Sequence, residues 1–139
     1  MNKRYFKFAR EASMNATYTG SHRFSPRIGA VAVYKGSIVA TAWNANKTST
    51  LQARYNVYRF QADTPNKVHA ECALVQKLRW KFGDSIDWSK VYIYLYREYK
   101  DGNLGPSRPC PSCLALLKEL GVKKIYYTTD DGYVEEKFK

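Results

Sequence analysis

The sequence predicts one α/β domain, and three observations carry that expectation. Segments of helical periodicity alternate with β-forming runs in the order α-β-β-α-β-α-β, with a further short strand at the end. The 139 residues amount to one domain, enough to bury most of a single core. The composition, 45% hydrophobic and 25% charged, is that of an ordinary globular protein, and no apolar stretch reaches the ~18 residues of a membrane span.

Each element follows from local chemistry. Residues 3–15 place Phe6, Ala9 and Ala12 at helical spacing, which predicts an amphipathic first helix. The polar stretch Thr19–Pro26, with Gly20 and Pro26 as breakers, reads as loop. Ile28–Tyr34 and Ile38–Trp43 are β-rich runs joined by Lys35-Gly36-Ser37, so they read as a hairpin. Asn44–Asn66 is a long polar segment with a helical turn expected around Leu51–Phe60, and a loop of that length is usually functional. Helical periodicity returns over residues 68–82 and stops at Gly83. Val91–Tyr96 is an almost unbroken β-forming run, as expected of a strand buried in a sheet. Gly102–Pro109 is loop, Leu114–Leu120 a short helix closed by Gly121, and Ile125–Thr129 a strand. Asp131-Gly132 then turns the chain into a last short strand over Tyr133–Phe138.

Charge is unevenly spread. The net charge is +11, yet residues 1–62 hold ten Lys and Arg against the single acid Glu11, and residues 63–139 hold thirteen against eleven. An excess gathered in one half favours a polyanionic partner over a uniformly solvated surface. The basic N-terminus lacks an apolar core and a cleavage site, so it is not read as a secretory signal, and the expected location is cytoplasmic. In a reducing compartment, the pair Cys110-Pro111-Ser112-Cys113 is a metal or redox pair rather than a structural disulfide.

Two fragments carry the chemistry, His69-Ala70-Glu71 and Pro109-Cys110-Pro111-Ser112-Cys113, each at the start of a helix. A catalytic zinc takes three protein ligands and keeps an open position, and His69, Cys110 and Cys113 supply that number. Cys110 and Cys113 lie three apart, which puts both sulfurs on one face at the positive end of a helix dipole, where thiolates are favoured. Glu71 is then the general acid/base. His69 must sit at or just before the first helical turn, because residues two apart diverge on a regular helix. A Cys-x-x-Cys alone reads equally well as a redox pair. Together the two fragments are the zinc deaminase signature.

These motifs resemble the cytidine deaminase superfamily over roughly residues 3–129, including Gly29-Ala30-Val31 on the first strand and Trp43-Asn44 ending the second. The resemblance implies a three-layer α/β/α sandwich on a mixed sheet of four to five strands, with one catalytic zinc per chain held by two helix starts. It implies that Asn44 contacts the sugar beside the target base and that the backbone amide of Ala70 meets the base carbonyl. Arg108 departs from the Ser or Glu common in relatives; a phosphate contact and an exposed salt bridge are both open readings for it. Cys72 is expected to pack in the core, and His22 in the first loop is a solvated or substrate-facing residue.

The superfamily covers free nucleosides and nucleotides as well as bases in polynucleotides. The first expectation is conversion of cytosine to uracil in single-stranded DNA or RNA. It rests on the basic, aromatic loops that contain Arg27, Tyr55 and Arg59, and on Asp130 and Asp131 after the fourth strand, where polynucleotide relatives read a neighbouring base. The alternative is a free cytidine, deoxycytidine or deoxycytidylate deaminase, with Arg54, Tyr55 and Arg59 holding one phosphate. Adenine or guanine chemistry, an inactive zinc-binding module and a thioredoxin-like redox protein are further readings. The short tail favours an antiparallel hairpin, as in the free cytidine enzymes, over the helix and parallel fifth strand of polynucleotide deaminases. Oligomerisation is open.

Overall fold

The computed structural model describes residues 2–16, 27–45, 50–55, 68–99 and 101–138. Their elements run α1 (Arg4–Ser13), β1 (Ile28–Tyr34), β2 (Ser37–Trp43), α2 (Thr50–Tyr55), α3 (Ala70–Phe82), β3 (Val91–Arg97), α4 (Pro111–Leu120), β4 (Lys124–Thr129) and β5 (Gly132–Lys137). The expected order is present. The main shift is at α4, which begins at Pro111 rather than Leu114, because proline is favoured in the first helical turn.

The strands form one mixed sheet in the order β2-β1-β3-β4-β5. Only β3 and β4 run parallel, joined across one face by α4; the other neighbouring pairs are antiparallel. β1 and β2 meet in a two-residue turn in which Lys35 and Gly36 both have positive φ, 52° and 80°, the geometry that matches strand twist.

Period-two alternation divides the sheet into two apolar faces. Val31, Val33, Tyr94, Tyr96 and Tyr126 meet Tyr5, Phe6 and Ala9 of α1. Ala30, Ala32, Ile93, Leu95, Ile125 and Tyr127 cluster with Leu74, Val75 and Leu78 of α3 and with Leu114, Leu116 and Leu117 of α4. The result is the expected α/β/α layering. Gly29 sets how closely α1 lies on the sheet, since a Cβ there would stand 1.8 Å from the Ala9 carbonyl oxygen. The face bearing α3 and α4 matters most here, because both helices present their first turns at one place.

Candidate active site

α3 opens with His69 as its N-cap, in extended conformation (φ −79°, ψ 156°), so His69 precedes the first turn, as the two-residue spacing to Glu71 requires. Two contacts fix this start. Val68 and Ala45 exchange backbone hydrogen bonds of 3.0 Å, which ties the lead-in to the chain just past β2. The His69 N–H donates to Oε1 of Gln52, a buried residue of α2, at 3.0 Å. α4 opens on Cys110 as N-cap, with Pro111 following and Cys113 in its first turn.

The two helix starts bring the predicted ligands together. His69 Nδ1 lies 3.5 Å from Cys110 Sγ and 3.5 Å from Cys113 Sγ, and the ligand atoms all lie within 4.8 Å of one another. Zn–S of ~2.3 Å and Zn–N of ~2.1 Å at a tetrahedral angle separate sulfur from nitrogen by about 3.6 Å. The donor set therefore fits zinc in both chemistry and spacing.

The electrostatics agree. A hydrogen bond from Cys113, assisted by His69 and by the Ser112 hydroxyl 3.0 Å away, pulls the Cys110 thiol down to about 3. The same contact, together with burial, holds the Cys113 thiol well above its ordinary value. A divalent cation held between the two sulfurs would take both as thiolates. Glu71 is 3% exposed, and burial raises its carboxyl above the ordinary range, while the neighbouring His69 partly opposes that shift. A buried carboxyl beside the ligands is suited to accepting and returning a proton.

The other predicted residues are placed as follows. Asn44 directly follows β2 and locks the mouth of the β1–β2 hairpin: its Oδ1 accepts from the Ile28 N–H at 2.9 Å and its own N–H donates to the Ile28 carbonyl. It directly precedes the Ala45–Val68 bridge that leads into His69. Ala70 is fully buried at the first position of α3, and Arg27 is half-buried before β1. Tyr55 is buried, with its hydroxyl hydrogen-bonded to Glu119 of α4 and Arg54 beside its ring. Arg108 makes a bidentate ion pair with Glu136 of β5, at 2.9 and 3.1 Å. Asp130 and Asp131 are exposed at the β4–β5 turn. Cys72 is buried in the core as expected. Arg59 and His22 lie outside the described residues.

Sequence reasoning missed Gln52, Ser107, Thr128 and Glu136. Glutamine in a polar segment and serine before Arg-Pro-Cys carry no local signal; only the folded chain shows what they hold.

Comparison with known proteins agrees with this geometry. Residues 2–129 match the family model for the cytidine and deoxycytidylate deaminase zinc-binding region. No curated protein matches the chain by sequence. Among solved structures, the chain resembles the dCMP deaminase of cyanophage S-TIM5 in apo form, with 27% identity, a TM-score of 0.60 and coverage of 91% of this chain and 81% of that one. The same phage enzyme in complex with dCMP and dUMP gives 25% identity, a TM-score of 0.58 and coverage of 91% and 79%. The cytidine deaminase of Burkholderia pseudomallei shares the fold, with a TM-score of 0.64 at 15% identity over 99% of this chain and 93% of that one. The chain thus belongs to the cytidine and deoxycytidylate deaminase family and is a zinc-dependent hydrolase of that type.

Proposed function

We propose that the protein deaminates the cytosine of a free nucleotide, deoxycytidylate, to give deoxyuridylate and ammonia. The observation that favours a free substrate over a polynucleotide is the antiparallel pairing of β5 with β4, the arrangement that the resemblance implies for the free cytidine enzymes. The likeness to a phage dCMP deaminase with dCMP and dUMP bound supports the nucleotide over the nucleoside.

In this reading the amide of Ala70 meets the base carbonyl and Asn44 meets the sugar. Zinc, when bound, supplies the Lewis acidity that makes a water molecule nucleophilic at neutral pH. Glu71 takes a proton from that water, delivers it to the ring nitrogen beside the amine, and passes a second proton to the departing ammonia. Water adds at the carbon that bears the amine, the carbon–nitrogen bond breaks, and uracil retains the oxygen. Burial of Glu71, which raises its carboxyl above the ordinary range, suits a group that both takes and gives a proton.

A single-stranded polynucleotide is the second reading, favoured by the excess of basic residues in the first 62. Zinc-loaded protein incubated separately with dCMP, deoxycytidine, cytidine and a cytosine-containing DNA strand, read by mass spectrometry, tests both. Conversion of dCMP at the highest kcat/KM, absent from Glu71→Ala, is the expected result. Uracil formed in the strand but not in dCMP overturns the nucleotide reading. Glu71→Ala is expected to retain zinc and lose roughly 100-fold or more in kcat.

A further inference from the structure

The chain does not run straight from β3 to the metal ligand Cys110. After Arg97 it makes an excursion closed by the Glu98–Leu104 bridge, with the Tyr99 N–H donating to Asn103 O at 2.8 Å. It returns where the Gly105 N–H donates to the Arg97 carbonyl at 2.9 Å. From Pro106 to Cys110 it then has neither helix nor strand to hold it. Such a segment places a ligand only as well as its cross-links do.

Two adjacent residues provide those cross-links. Ser107 is 2% exposed, and its hydroxyl donates to the Leu95 carbonyl at 3.0 Å and accepts the Thr128 N–H at 2.8 Å. Its own N–H donates to the Thr128 carbonyl at 2.9 Å. The fully buried Thr128 hydroxyl lies 2.9 Å from that of Ser107, donates to Gly105 O at 2.7 Å and accepts the Arg97 N–H at 3.2 Å. The segment is thereby bolted to β3 and β4 through a buried network, where each bond is strong and each loss costly. On the outer side, Arg108 grips the Glu136 carboxylate, which also accepts from the Tyr127 hydroxyl at 2.8 Å. β5 thus holds the residue that β3 and β4 do not.

We propose that Ser107, with Thr128 behind it, is a positioning residue for Cys110, and that the Arg108–Glu136–Tyr127 cluster is its outer counterpart. The assignment concerns the metal site and is independent of which cytosine compound is bound. Ser107 touches neither ligand atoms nor substrate in this role; it fixes the backbone from which Cys110 reaches the metal.

Zinc release from the loaded full-length protein to excess colorimetric chelator tests this, with the visible spectrum of the cobalt-substituted protein as a second readout. Ser107→Ala and Thr128→Val are expected to weaken zinc retention roughly 10–100-fold, the usual effect of losing a group that orients a metal ligand, and to alter the cobalt bands. Thr128→Ser, which keeps the hydroxyl, is expected to retain zinc as the parent does. Val31→Ala, in the core beneath α1, is the control: it lowers Tm without changing zinc release. Parent-rate release from Ser107→Ala, or release no faster than from Val31→Ala at equal Tm loss, overturns the assignment. If the Ser107 and Thr128 variants do not fold, Glu136→Gln, at a partly exposed position on β5, decides instead. Faster release supports the clamp, and parent-rate release overturns it.

Discussion

At the scale of single residues, the cluster of His69, Cys110 and Cys113, with Glu71 buried beside it, was legible in sequence because its signal is local. His69 and Glu71 lie two apart, Cys110 and Cys113 three apart, and proline beside cysteine marks a helix start. Gln52, Ser107 and Glu136 were not legible, because each acts on a partner 17 to 28 positions away, and that proximity exists only after the sheet has formed. Arg108 illustrates the difference: its type suggested a phosphate contact or a salt bridge, and the fold sets it against Glu136. That pair has a pH signature. Hydrogen bonding from Arg108, then Tyr127, holds the Glu136 carboxyl below its ordinary range. Its stabilisation is therefore complete above the ordinary glutamate pKa of about 4.3 and is lost as pH falls through the lower folded-state value. Arg108 is half-exposed, so the contribution is at most about 1 kcal/mol. The Tm of Glu136→Gln is expected to lie below the parent's at pH 7 and to converge with it in acid; parallel curves down to pH ~3 would rule this out. Gly29 offers a second test. Gly29→Ala puts a methyl against the Ala9 carbonyl and should cost roughly 2 kcal/mol or more in chemical denaturation, by forcing α1 away from β1.

At the scale of elements, the hairpin of β1 and β2 was legible from two β-rich runs around a glycine-bearing link, and the antiparallel β5 from Asp131-Gly132 and the shortness of the tail. The bounds of α4 were less so: the regular helix was expected over Leu114–Leu120, and the structure starts it at Pro111 with Cys110 as its cap. One feature of β2 has no sequence signature. Among the described residues it is an edge strand, and its carbonyls at Val39 and Thr41 accept from Lys81 and Lys77 of α3, at 3.0 and 2.6 Å. Lys77 also sits over the Trp43 ring, 4.4 Å from its centroid. These lysines, four apart on one face of the helix, occupy acceptors that a foreign strand would otherwise use. The double variant Lys77→Met, Lys81→Met is expected to form concentration-dependent higher-mass species by light scattering, at concentrations where the parent gives one mass. An unchanged mass would show the edge to be protected by other means.

At the scale of the whole molecule, the metal ligands span the starts of α3 and α4, so zinc would tie together two helices that also pack in one apolar cluster. A ligand bound only by the native state stabilises it by mass action, about 4 kcal/mol at a thousandfold excess over Kd. Chelation is therefore expected to lower Tm by on the order of 10 °C and restored zinc to reverse it; an unmoved Tm would mean that the helix starts are fixed without the metal. Seen across the whole chain, the Glu98–Leu104 excursion has a different kind of consequence. Its two ends are tied to each other, and its tip at Asp101–Asn103 is exposed. Extra residues spliced in there would extend outward, while the closure between Arg97 and Gly105 stays the same length. The protein thus carries a ready-made port for a fluorescent or affinity peptide, close in sequence to its metal loop yet mechanically insulated from it.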